Sequence, residues 1–440
     1  MNFLDLIPDV KLPILDHLSQ SDLPTLCLAH RRLDELARPV LYSCVELPSG
    51  FGRYQPHPIA PFLRTIISKP ELSRRIRHLS FLEKPPPSGH LYGTGPEFQV
   101  SPSDMEGVVQ FVEGCEVSYR DFWIEALQAG TMEAYLAVLL LNLPSIDYLR
   151  IEQGLLMETG FVGRVLRSYL CDTPPSLVLP PRYTGSLQGL RDICIDPRNP
   201  PPIRNTPNIL PMFYLPSLKK LSIWIDDPAD EFRWPTSNPP QALGLKSLKV
   251  QGLSEAQLGS LLSATPSLPS LAYTREFYVE PRSHSHRTRR HPGVLEPVID
   301  LRALGISLAV VKDKLITLQI RTRDHSINRF LRGVAGLRFE RPTTSLCLAE
   351  FHQLKVLEVP SEFIMGFPAM PVLEDNLPPN IEELAISNLN SPSFWDSEER
   401  IFDSSCEFPY VQVILQWLQG TKQHTPNIRK FSYLDHTDGY

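Results

Sequence analysis

Four side chains in the middle of the chain, Lys220, Trp224, Lys249 and Arg321, are the best candidates for chemistry in this sequence. That chemistry is recognition. An exposed indole beside cationic groups is a typical interface anchor. Lys and Arg pair with carboxylates and phosphates, so the expected occupant is an acidic or phosphorylated segment. The alternative is that Trp224 only covers a loop. Residue sets for covalent or acid–base work are missing. There is no G-x-S-x-G, no G-x-x-x-x-G-K-[ST], no H-E-x-x-H and no G-x-G-x-x-G after a strand. The chain is therefore expected to be no enzyme and to need no cofactor. Arg282 to His291 reads RSHSHRTRRH, a basic, histidine-rich run. It has the composition of a localisation signal or a weak metal site, but a solvated loop is the preferred reading. His284, His286 and His291 have no Cys or acid cluster nearby, and no metal ligand is assigned.

Composition bounds the partners. The 440 residues carry 43 Lys+Arg against 49 Asp+Glu, a net charge of −6, which disfavours binding to nucleic acid through the overall field. No apolar run approaches the roughly 18–20 residues of a membrane helix, and the acidic N-terminal segment is unlike a secretory signal. Seven scattered cysteines without a C-x-x-C pair suggest reduced thiols, hence the cytoplasm or nucleus. Proline is the outlier: 44 residues, about twice the usual ~5%. Proline ends helices and avoids central strands, so the regular elements must be short.

The elements that would position the four side chains recur. The pattern apolar-x-x-apolar-x-apolar occurs ten times, starting at Ile76, Ile146, Leu190, Leu218, Leu245, Leu268, Leu315, Leu354, Ile381 and Ile428. Several copies share a proline lead-in, as in LPSLKKL, TPSLPSL and TPNIRKF. Four of the nine spacings fall in the 20–29-residue period of leucine-rich repeats. Between strands, helices are expected at Ser254 to Leu262, Met132 to Leu143 and Tyr410 to Leu418. One strand and one helix per unit, stacked, bury a continuous core. The consensus Asn or Cys after the strand is replaced by Asp226, Leu253 and Leu389, so an irregular solenoid with long excursions is expected. An ordinary α/β domain with chance matches is the alternative. Strand alternation turns the residues beside the apolar triplet outward. At those positions Arg150, Lys220, Lys249, Arg321 and Lys430 are balanced by Glu152, Asp192, Asp196, Glu358 and Glu383. The whole face is neutral, with a locally basic middle.

Residues 6 to 47 have helical spacing at Leu12, Leu15, Leu18, then Leu23, Leu26, Ala29, then Leu33, Leu36, Ala37. About three short helices follow, with Asp22 as an N-cap. The first helix either opens at Pro8 and carries Pro13 inside it, or begins at Pro13. So small a module needs a surface to dock on.

Leu6-x-Pro8-Asp9-Val10, Ile14-Leu15, Leu18, Asp22-Leu23, Leu26, Ala29 and Arg31-Arg32, then Pro39-x-Leu41-Tyr42, resemble an F-box over about residues 4 to 45. The remainder is similar to the leucine-rich-repeat-like regions that follow the F-box in many fungal proteins. The resemblance implies an α/β chain: a three-helix F-box at 1–45, a connecting segment at 46–75, and an irregular solenoid of parallel strands, one per repeat, at 76–440. It implies a non-catalytic substrate receptor of a Skp–cullin–F-box ubiquitin ligase, docked on the Skp-type adaptor and through it on a cullin. The adaptor contacts are assigned to Leu6, Ile7, Pro8, Ile14, Leu15, Leu18, Leu23 and Leu26, and the target protein to the repeats. In the alternative, a scaffold, the helices only cap the solenoid.

Overall fold

A computed structural model describes residues 8–48, 57–82, 98–156, 160–172, 177–180, 185–196, 206–225, 232–277, 299–324, 345–365, 373–387 and 409–434. The chain divides into two compact units, Met1–Ile223 with Trp234–Pro240, and Trp224–Arg233 with Gln241–Tyr440.

The first unit opens with three short helices, α1 (Pro8–Asp16), α2 (Asp22–Ala29) and α3 (Arg31–Leu41). α1 opens at Pro8 and holds Pro13 inside it. Asp22 proves to be the first helical residue of α2, not its N-cap. The Ser19 hydroxyl, 2.5 Å from the Asp22 carboxylate, donates to it. α3 is capped by the His30 imidazole, which accepts the Arg32 N–H at 3.0 Å. Leu15, Leu23 and Ala37 form the module's core, with Leu18, Leu26, Leu36, Val40 and Leu41 packed against it.

α3 runs directly into a strand, β1 (Cys44–Pro48). The segment 46–75, expected as a connector, instead holds the end of β1 and two helices, α4 (Ile59–Ser68) and α5 (Pro70–Ser73). The unit continues with β2 (His78–Leu82), α6 (Pro102–Glu113), α7 (Arg120–Gln128), α8 (Met132–Leu141), β3 (Tyr148–Glu152), α9 (Phe161–Leu170), β4 (Asp192–Asp196), α10 (Thr206–Ile209) and β5 (Lys220–Trp224), whose last residue is assigned to the second unit. α8, MEAYLAVLLL, is apolar all round, and all ten residues but Glu133 are buried, as such a helix must be.

The second unit holds β6 (Ser247–Gln251), α11 (Glu255–Leu262), β7 (Ser270–Phe277), α12 (Leu301–Ala309), β8 (Thr317–Asp324), β9 (Val356–Pro360), α13 (Ser361–Met365), α14 (Leu373–Asn376), β10 (Glu383–Ser387), α15 (Pro409–His424) and β11 (Lys430–Leu434). Within each unit the strands are parallel and follow chain order.

The proline lead-ins are β-turns. Leu218 N–H reaches Leu215 O at 3.4 Å, Leu268 reaches Thr265 at 3.1 Å and Ile428 reaches Thr425 at 3.2 Å. Pro216, Pro266 and Pro426 occupy the second turn position, where a fixed φ near −65° fits. Each turn delivers the chain to a shared backbone joint. Asp147 O accepts from Arg191 and Asp192, at 2.9 and 3.0 Å, while Lys355 O accepts from Glu382 and Glu383, at 2.8 and 2.9 Å. The same double acceptance recurs at Arg77, Arg191, Ile316 and Glu382. It locks the register so that the apolar triplets face each other: Leu149 beside Ile193, Ile193 beside Leu221, Leu271 beside Leu318, Leu357 beside Leu384. All those side chains are buried. Among the described residues no helix is long and apolar enough to cross a membrane.

Candidate functional site

The strand face is a lattice of ion pairs. Four of the five outward cations pair with four of the five outward acids, and every pair joins neighbouring strands. In the first unit Arg150 Nη2 lies 2.8 Å from Asp196 Oδ2, and Lys220 Nζ lies 3.8 Å from Asp192 Oδ2. Burial pushes the Asp192 carboxyl above its ordinary range, against the pull of Lys220 and His78. In the second unit Arg321 meets Glu358 with two parallel N–H···O bonds, at 2.5 and 2.9 Å, and that contact raises its guanidinium pKa. Lys430 Nζ is 3.5 Å from Glu383 Oε2. Asp192 sits directly opposite Lys220, and Glu383 opposite Lys430, so register alone creates these pairs.

This corrects the basic patch. Trp224 is buried, 4% exposed, and cannot be a surface anchor. Its indole N–H is donated to the Glu276 carboxylate, and Gly252 (φ +89°) lies against the ring, where a Cβ would come within 3.1 Å of it. A buried indole needs such an acceptor. Glu276 in turn lies beside its register partner Arg323, with 4.0 Å between charged atoms. Arg321 is engaged by Glu358, and Lys220, in the first unit, by Asp192. Of the four side chains, Lys249 alone is exposed and makes no ion pair among the described residues. It stands on β6 beside Ala272, with Ser270 and Thr274 flanking on β7. The reach of a lysine over small neighbours leaves its ammonium accessible to an anionic group.

The N-terminal residues divide in two. Leu15 and Leu23 are core residues and cannot meet a partner without unfolding the module. Leu18 and Leu26 are half-buried against that core. Ile14 is 41% exposed. Sequence reasoning missed Val10, 42% exposed, and Leu28, 89% exposed. Val10 and Ile14 are four residues apart and so share a helix face. Helical spacing marks apolar stripes but cannot say which one turns inward. Leu6 and Ile7 lie outside the described residues, as does the histidine-rich run at 282–291. Of Pro8 the structure describes the backbone, as the first residue of α1.

Among the described residues no three metal-capable side chains come together, and no two cysteines form a disulfide. No family model matches the chain, and no curated protein matches it.

Proposed function

We propose that the chain is a substrate receptor of a Skp–cullin–F-box ubiquitin ligase, whose N-terminal helices dock on the Skp-type adaptor while its repeats hold a target protein. The observation that carries this reading is the apolar surface the module leaves outside its own core: Val10 and Ile14 on α1 and Leu28 on α2. Burying large aliphatic side chains of this kind is worth about 1.5–3 kcal/mol each, enough to drive docking into a partner groove. On the repeats, the paired charges supply a neutral, ordered surface, and Lys249 supplies one accessible cation for an acidic side chain or phosphate.

A second reading, the scaffold, is favoured by one contact. Gln20 Nε2 donates to Cys44 O on β1 at 3.0 Å, so the helices also seal the first strand. Co-expression with a tagged Skp-type adaptor and its cullin separates the two. A receptor co-purifies in a stoichiometric complex; a helical cap leaves the adaptor behind.

A further inference from the structure

We propose that Phe122 and Arg164 form a second protein-docking anchor, on α7 and α9, for an acidic segment of a partner protein. α7 buries Trp123, whose indole donates to Ala134 O at 3.1 Å. The preceding residue, turned about 100° around the helix, cannot follow it inward, and Phe122 is left 49% exposed. It is held in place: its ring stacks on buried Phe161, 5.1 Å between centroids at 27°. Arg164, one turn into α9, sets its guanidinium carbon 5.4 Å from the Phe122 ring centroid, 5.5 Å from Tyr119 and 6.0 Å from Phe161.

Three rings hold that cation, and among the described residues no carboxylate does. Cation–π contacts do not consume the in-plane N–H donors of a guanidinium, so these stay free to bind a carboxylate bidentately. Of the nearby acids on α7, Asp121 lies 3.7 Å from Arg120, and Glu125 is exposed one turn beyond Phe122. Glu125 disfavours a partner carboxylate at its own end of α7 and leaves the Arg164 end for it. Arg167, exposed one turn further along α9, adds charge of the right sign. Exposed aromatic and Arg side chains fixed beforehand are what interface hot spots are made of, because little entropy is lost on docking. The occupant sets an apolar side chain on Phe122 and a carboxylate on Arg164. The residues differ from those of the adaptor reading, and the anchor does not depend on it.

The test is fluorescence anisotropy with the full chain and a fluorescein-labelled peptide, Gly-Leu-Phe-Glu-Glu-Leu-Gly. Two control peptides replace its Glu residues by Lys, or its Leu and Phe residues by Gly. The acidic apolar peptide binds, and Arg164→Gln and Phe122→Ser each weaken it at least about thirtyfold, as a hot-spot loss requires. Both control peptides bind the wild type as poorly. Thermal melting of each variant accompanies the titration, and if Phe122→Ser melts early, Arg164→Gln decides alone. Equal binding of all three peptides, undiminished binding by Arg164→Gln, or no binding at about 1 mM peptide overturns the proposal. No adaptor takes part in the titration, so failure of the receptor reading leaves its outcome unchanged.

Discussion

The indole N–H of Trp224 is donated to the carboxylate of Glu276, 52 residues away, and both side chains are buried. A side chain turned outward by strand alternation is thereby drawn under cover by a charged acceptor. Trp224→Phe removes the donor and should cost about 1–3 kcal/mol, the usual penalty for stripping a buried polar group of a partner. Glu276→Leu should cost a similar amount. The double variant should cost clearly less than the sum, because the two losses share one bond. Strict additivity in urea denaturation would contradict the pairing.

The N-terminal module should separate core from surface. Leu15→Ala and Leu23→Ala should each destabilise it by about 2–5 kcal/mol. Ile14→Ala, at a position the core does not use, should stay within about 0.5 kcal/mol. Hydrogen exchange over residues 8–41 checks this. Equal loss of protection in all three variants would place Ile14 in the core.

Buried His57 and half-buried Glu133 should pull the pH dependence of stability in opposite directions. Burial holds the His57 imidazole down to about 4, from an ordinary 6.5. Its Nε2 donates to Pro48 O at 2.7 Å, and its Nδ1 accepts the Ile59 N–H at 3.1 Å. Between about pH 4 and 6.5 the unfolded chain binds more protons at this site, so its contribution is lost as pH falls. Glu133 is pushed up to about 7 by burial, although the Phe161 backbone hydrogen bond pulls it down. Between its ordinary 4.5 and about 7 the folded chain binds more protons, so stability is lost as pH rises. Glu133→Gln should therefore fall in stability more steeply than wild type from pH 7 to 5, and His57→Gln should rise relative to it. Denaturant midpoints of either variant that simply track wild type across that range would contradict the burial of that group.

Gly130 has φ +75°, and a Cβ there would overlap the carbonyl oxygen of Phe98. Phe98 N–H is bonded to Gly130 O at 3.0 Å, so the two backbones cannot separate cheaply. Gly130→Ala should cost at least about 2 kcal/mol, combining the left-handed penalty with the clash. Gly163→Ala would press on the Asn208 side chain, which donates to Leu156 O at 3.3 Å, and should cost about 1–3 kcal/mol. A thermal midpoint unchanged in Gly130→Ala would refute the close approach.

Much of the repeat was legible from the chain because the apolar triplet is a direct consequence of strand geometry: Leu221 and Ile223 must face inward if Leu218 closes the turn before them. β1 escaped notice because its version, Tyr42-x-x-Val45-x-Leu47, starts with a tyrosine and follows a helix without a proline lead-in. The balanced charges were visible, but their pairing depends on register, which sets Asp192 against Lys220 and brings Glu358 within reach of Arg321. Trp224 was misplaced because alternation along one strand carries no information about Gly252 and Glu276, which arrive from later in the chain. Leu15 and Ile14 are adjacent and equally apolar; only the packing of α2 and α3 decides which of them is buried.

The most direct test of the account is the affinity of the purified chain for a recombinant Skp-type adaptor, measured by calorimetry on wild type and on a Val10→Asp, Ile14→Asp double variant. Wild type should bind with a stoichiometry of about one. The double variant, still folded by circular dichroism, should lose at least about a hundredfold, since desolvating two carboxylates in an apolar contact costs several kcal/mol. Absence of wild-type binding, or an equal affinity in the folded double variant, would contradict the assignment of α1 and α2 as an adaptor-docking surface.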